Sequence, residues 1–145
     1  MSNGEPVMSA KEVGDYLDKV FPEVNADGKN FSVESVGPMS AAMRLHYNDR
    51  FVRPGGTISG PAMFSLADLS LYVAVLAHIG EQALAVTTNM TINFLRKPEN
   101  TDLIGTCRLL KLGKRLAVGD VVITGEETGL LVAHATGTYS IPPKK

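Results

Sequence analysis

Residues 60–76 read GPAMFSLADLSLYVAVL, and Asp68 is the only charge in the run. Wound as a helix, the stretch is apolar on most sides, the mark of a helix buried within a protein rather than laid on its surface. Pro61 suits the first helical turn, where its missing N–H leaves nothing unsatisfied, so the helix is expected to begin at Gly60. Gly80 is expected to end it, with His78 in the last turn where a cation suits the helix dipole. A carboxylate buried without a partner is strongly disfavoured, so Asp68 calls for a partner or a task. The stretch thus offers a free backbone N–H at Gly60 and a carboxylate about two turns further on.

Outward from this helix the periodicity changes. On the N-terminal side, residues 48–59 (NDRFVRPGGTIS) form a glycine-bearing loop that feeds straight into the helix. Long ordered loops in compact domains are often functional. Before it, residues 41–47 alternate, with Met43, Leu45 and Tyr47 opposing Arg44 and His46, as a half-buried strand does. Phe31, Val33 and Val36 start an earlier strand, broken at Gly37-Pro38, so the two suggest a hairpin. Residues 9–20 carry a capping-box pair, Ser9 and Glu12, ahead of an amphipathic helix limited by Pro22. Residues 1–8 read as a flexible tail.

On the C-terminal side four strand-like runs follow, at 85–96, 101–112, 116–125 and 130–141, separated by turn-forming residues. This spacing implies an antiparallel meander. In the first run Val86, Thr88, Met90, Ile92 and Phe94 alternate with Thr87, Asn89, Thr91 and Asn93. The fold class expected is α+β: about six antiparallel strands wrapped around one long central helix, as a single domain over residues 1–145.

Composition narrows the function classes. The chain has 145 residues, 44% hydrophobic and 20% charged, with a formal net charge of −1. That balance gives no general attraction to nucleic acid or to an anionic membrane. A single cysteine, Cys107, excludes an internal disulfide. The N-terminus lacks a secretory pattern, and Asp68 interrupts the one run approaching the roughly 18 residues of a membrane span. A soluble cytoplasmic protein is expected. His46, His78 and His134 show no metal-ligand spacing, and Cys107 reads as core.

Two segments, RPGGTISGPAMFSLADLSLYVAVL and AVTTNMTINFLRKP, carry a resemblance. They resemble the hotdog-fold acyl-CoA thioesterases of the PaaI-like (phenylacetic acid degradation) type, over roughly residues 31–141. In that family a central helix is wrapped by an antiparallel sheet, and the active site lies at a subunit interface. The resemblance puts Asp68, within Ser65-Leu66-Ala67-Asp68, on the family's catalytic acid. It puts Gly60 on the glycine whose N–H polarises the thioester carbonyl. Phe94-Leu95-Arg96-Lys97-Pro98 matches the family's strand end. Ser59 stands at the family's histidine, Pro61 at its second glycine, and Arg53 where its loop asparagine falls. The resemblance implies an acyl-CoA thioesterase for small or medium acyl chains, needing no cofactor beyond the coenzyme A of its substrate. It also implies a homo-oligomer, dimeric or tetrameric.

The residue chemistry fits. Thioester hydrolysis passes through an oxyanion, which a helix N-terminal N–H stabilises. A carboxylate acts as general base on water or attacks directly. Ser65 and Tyr72 lie three before and four after Asp68, hence on its face of the helix. Their hydroxyls either satisfy local acceptors or orient water and acyl group. Arg96 and Lys97 are either solvated strand-end cations or contacts for coenzyme A phosphates. The polar face holding Asn89 is either the solvent side of the sheet or the lining of a dimer cleft. Gly60 and Asp68 stand about 12 Å apart along one helix, too far for one carbonyl to meet both, so two copies of the helix are expected to share a site. Two other functions suit the same fold: an acyl-thioester hydratase, disfavoured by the lack of a histidine near the helix start, and a non-catalytic acyl-CoA-binding protein.

Overall fold

The computed structural model describes residues 4–143. Helix α1 spans Ala10–Val20 and helix α2 spans Gly60–Ile79. The six strands are β1 (Phe31–Gly37), β2 (Ser40–Leu45), β3 (Val86–Phe94), β4 (Leu103–Leu112), β5 (Leu116–Gly125) and β6 (Leu131–Ser140). Every pairing is antiparallel, and the sheet order is β1-β2-β4-β5-β6-β3. The six-stranded α+β sandwich is as the sequence implies. The simple meander is not. Of the four C-terminal strands only β4, β5 and β6 follow one another across the sheet; β3 pairs with β6, and β4 lies against β2 of the N-terminal hairpin. The chain leaves β3 at one edge and crosses to the middle of the sheet, so β3 remains an edge strand.

Helix α2 forms because its ends are capped and its sides are covered. The Ser59 hydroxyl accepts the Ala62 N–H at 3.2 Å, Pro61 fills the first turn, and Gly80 closes the other end at φ 89. Fourteen of its twenty residues are buried. By length and composition the helix could cross a membrane, although Asp68 interrupts its apolar run, as expected from the sequence. The sheet buries it instead, and each leucine so covered contributes roughly 1.5–3 kcal/mol.

The helix seats closely because small residues lie beneath it. Leu71 is wedged over Gly119 of β5 and Gly137 of β6, which face each other across the two strands. A β-carbon at either glycine would stand 2.8 Å from a Leu71 methyl. Ser70, fully buried, donates to Leu66 O at 2.7 Å and reaches Gly105 O of β4 at 3.3 Å.

Helix α1 carries the expected capping box, with Ser9 and Glu12 bonded reciprocally, and its buried side, Val13 and Leu17, joins the core. Of the tail read as flexible, residues 1–3 lie outside the described residues. Residues 4–8 are strapped down: the Val7 and Met8 N–H groups donate to Ala77 O at 2.7 and 3.1 Å, and Met39 N–H donates to Gly4 O at 3.1 Å. His78, read as a helix-end cation, does another job. Its Nε2 accepts the Met39 N–H at 2.9 Å and its Nδ1 donates to Ala74 O at 2.7 Å. It thereby holds the β1–β2 turn, where Met39 adopts the left-handed φ of 52°.

Candidate active site

Asp68 sits half-buried on the side of α2 that faces β3. Two hydroxyls meet on one of its oxygens. Thr87 Oγ1 donates to Oδ1 at 2.6 Å, and the Tyr139 phenol donates to the same Oδ1 at 2.9 Å. The phenol also lies 3.3 Å from the Asp68 carbonyl oxygen. Oδ2 has no hydrogen-bond partner among the described residues, and it is not sealed off, since no fully buried side-chain oxygen there lacks a partner. The carboxylate is thus held by one oxygen and open at the other.

A bulge in β3 makes this possible. The β3–β6 register shifts between Thr87 and Asn89. A bulge sets two residues against one and re-aims the side chains around it. Strict alternation would place Thr87 on the face opposite Met90 and Ile92. The extra residue turns Thr87 to the helix side with them, directly opposite Tyr139 of β6. Tyr139 is itself buried. Burial, and then the Asp68 charge beside it, push its phenol far above the usual tyrosine range, so it stays a donor at ordinary pH.

Tyr139 stacks on Tyr72, with ring centroids 5.8 Å apart and planes 23° from parallel. The Tyr72 hydroxyl, expected on Asp68's face, is spent elsewhere: it donates to Ala83 O at 2.8 Å, while Ala83 N–H donates to the Tyr16 hydroxyl at 3.1 Å. Burial raises the Tyr72 phenol, with neighbouring Tyr16 adding to the effect. Tyr72 therefore ties the 80–85 segment to the helix and does not touch Asp68. Ser65, one turn before Asp68, is exposed.

At the other end of the same edge lies the helix N-terminus. The Phe94 ring at the end of β3 stands 3.3 Å from where a Gly60 β-carbon would be. The Gly60 N–H has no partner among the described residues, as expected of a first-turn donor. Ser59 is consumed as the helix cap, and Pro61 is exposed beside it. Arg96 and Lys97 follow Phe94, both exposed. Asn89 is exposed beside the bulge, at the Asp68 end. The loop feeding the helix is ordered: Asn48 caps a short turn at 49–51, and Arg53 N–H bonds Thr57 O at 2.8 Å.

Two surface hollows, of about 530 and 470 Å³, lie away from Asp68, one between α1 and β1 and one beside the 79–84 segment and Pro142. Among the described residues no group of three metal-capable side chains occurs. Cys107 is buried, and desolvation pushes its thiol up to about 12.

With this arrangement in view, comparison with known proteins decides the family. Residues 55–132, which hold Gly60, Asp68, Thr87 and Phe94, match the model of the thioesterase superfamily. The chain belongs to the thioesterase superfamily. It is a thioester hydrolase of the hotdog fold. The chain is 48% identical to a protein of Silicibacter sp. TM1040 described as a candidate thioesterase, whose crystal structure superimposes with a TM-score of 0.88 over 98% of this chain and 97% of that one. It is 28% identical over 138 residues, 94% of this chain and 87% of the other, to a protein of Saccharolobus solfataricus named as a candidate esterase. A thioesterase-named protein of Streptococcus pneumoniae, crystallised with coenzyme A, shares the fold with a TM-score of 0.74 at 20% identity, over 90% of this chain and 97% of that one.

The placement of Gly60 at the start of a buried helix, of Asp68 within it and of Phe94 at a strand end is legible in the sequence. Thr87's turn toward Asp68 is not, because one bulge reverses its face. Tyr139 was missed altogether, although a tyrosine on a buried strand face must find a partner for its hydroxyl.

Proposed function

We propose that this enzyme is a PaaI-like acyl-CoA thioesterase acting in the cytoplasm on small or medium acyl chains, with each active site shared by two subunits. The observation that carries this reading is that one edge strand contacts both Gly60 and Asp68. Phe94 covers Gly60 at one end of β3, and Thr87 binds Asp68 at the other.

An unpaired edge strand invites a second copy, and an isologous pairing repeats each contact about a two-fold axis. Opposed residues of antiparallel strands point to the same side, so only certain registers bring helix-facing residues together. A register with Thr91 on the axis sets Met90 against Ile92 of the other copy. It sets Phe94 against the bulge at Thr87. The Gly60 N–H of one subunit then approaches Asp68 of the other. The same pairing covers Leu84, Val86 and Phe94, which are 81, 56 and 52% exposed in the single chain.

The chemistry follows. Water activated by Asp68, or the carboxylate itself, adds to the thioester carbonyl. The oxygen that gains negative charge takes the Gly60 N–H at the positive end of α2. Collapse expels the thiolate of coenzyme A, which is protonated, and water supplies the hydroxyl of the free acid. In this reading Arg96 and Lys97, exposed on the Gly60 side, meet coenzyme A phosphates, and the exposed Asn89 and Ser65 line the cleft. The coenzyme A bound by the Streptococcus pneumoniae relative supports this class of substrate.

A panel of acyl-CoA esters, read by release of free thiol, tests the proposal with wild type and Asp68→Asn side by side. Thiol release by wild type and its loss in Asp68→Asn is the expected result. Binding without thiol release would favour the non-catalytic acyl-CoA binder, and conversion of an enoyl ester without thiol release the hydratase.

A further inference from the structure

The two oxygens of Asp68 are not equivalent, and the difference lies in Tyr139. Oδ1 receives both Thr87 and Tyr139, at 2.6 and 2.9 Å, whereas Oδ2 receives neither. Taking Asp68 as the reacting carboxylate, as proposed above, we infer that Tyr139 is a positioning residue: its phenol fixes Oδ1, and Oδ2 is the oxygen that meets water or the thioester carbon.

Three observations support this. Tyr139 comes from β6, a strand inside the sheet, so its position is set by the β5 and β3 ladders on either side. Its ring is clamped against Tyr72, whose own hydroxyl is tied to Ala83, leaving little freedom to swing. The phenol is held neutral by its surroundings, so it donates throughout the working range. The titratable groups facing the carboxylate are Tyr139 from β6 and, beneath it, Tyr72 from α2; β3 contributes the neutral Thr87. Among the described residues no cation touches the carboxylate, so the two hydroxyls are its partners, and hydrogen bonds to a charged acceptor are the stronger kind.

The two roles separate by experiment. Tyr139→Phe keeps the ring and removes only the donor. It is expected to lower kcat roughly tenfold with KM changed less than about threefold, since the interaction serves the reacting group rather than substrate binding. The acidic limb of the kcat/KM profile is expected to move up by about one pH unit, because the carboxylate loses a donor. Site-specific 3-fluorotyrosine at position 139 keeps both ring and hydroxyl and makes the phenol a better donor. It is expected to move the same limb down, and it decides the matter if Tyr139→Phe fails to fold. An unmoved acidic limb in the fluorotyrosine enzyme, or wild-type kcat and limb in a folded Tyr139→Phe, would overturn the inference while leaving Asp68's role intact. Wild-type turnover by Asp68→Asn would instead sink the underlying assignment.

Discussion

Phe94 lies on Gly60. A β-carbon at that glycine would be 3.3 Å from the ring tip, closer than ordinary packing allows. The ring is half exposed and can give way, so the contact governs access to the Gly60 N–H more than stability. Gly60→Val is expected to keep the fold and lose at least tenfold in kcat, since removing one oxyanion donor elsewhere lowers kcat by roughly 100- to 1,000-fold. Circular dichroism and thiol release check the two halves of that statement.

Leu71 over Gly119 makes the opposite kind of contact. A methyl at Gly119 would meet Leu71 at 2.8 Å, Arg108 O at 3.1 Å and Cys107 Sγ at 3.2 Å, a backbone oxygen and two buried side chains. Gly119→Ala is expected to destabilise by about 1–3 kcal/mol through overpacking. Gly14, inside α1, has only a Val33 methyl at 3.8 Å. Gly14→Ala is expected to stabilise by about 0.5–1 kcal/mol, because alanine loses less backbone freedom in a helix. Urea melts should show the two alanines moving the midpoint in opposite directions; a shift of the same sign would refute the packing argument.

Acid stability should depend on a cluster on the outer side of β1, β2 and the β4 entry. Arg44 bonds Glu34 and Asp102, at 2.9 and 2.8 Å, and His46 lies 3.8 Å from Asp102. The hydrogen bond from Arg44 lowers Glu34. Burial alone would raise Asp102, but the Tyr47 N–H and Arg44 outweigh it and lower that carboxyl too. Desolvation lowers His46. All three groups hold protons less well folded than unfolded. Stability is therefore complete above the ordinary histidine value of about 6.5 and declines as pH falls, first through His46 and then, below about 4.5, through the carboxylates. Thermal melts from pH 7 to pH 4 should show a steady fall. Arg44→Met should shrink the part of that fall below pH 5, and an unchanged acid limb in that variant would contradict the assignment.

The edge of β3 supplies a fourth test. With Thr91 on the two-fold axis, Thr91→Asp sets two carboxylates opposite each other, and like charges across strands repel. Sedimentation is expected to show the wild-type chain as a dimer and Thr91→Asp with a greater monomer fraction, rescued in part by high salt. A variant that dimerises as tightly as wild type at low salt would rule out this register.

How much of this could be read in the sequence follows from the range of each interaction. Residues 60–76 declare a buried helix because burial is written into their own composition, and Ser59, Pro61 and Gly80 mark its ends locally. The capping box at Ser9 and Glu12 is equally local. The order of strands is not. Nothing in residues 86–94 says that they pair with β6 rather than β4; that is settled by how the chain wraps α2. Thr87 illustrates the same limit, since one bulged residue, invisible to alternation, turns its hydroxyl from solvent to Asp68. His78 reads as a helix-end cation until the Met39 N–H, 39 residues away, is found on its Nε2.

The central claim is that one subunit supplies Asp68 and the other Gly60, and mixing defective subunits tests it most directly. Asp68→Asn and Gly60→Val are each expected to be nearly inactive alone. Unfolded and refolded together in equal amounts, half of the dimers would be hybrids, and each hybrid would hold one site with both groups intact. Thiol release from an acyl-CoA ester should then recover to about a quarter of the wild-type rate per subunit. A mixture that forms hybrids yet stays as inactive as its parents would contradict the shared site.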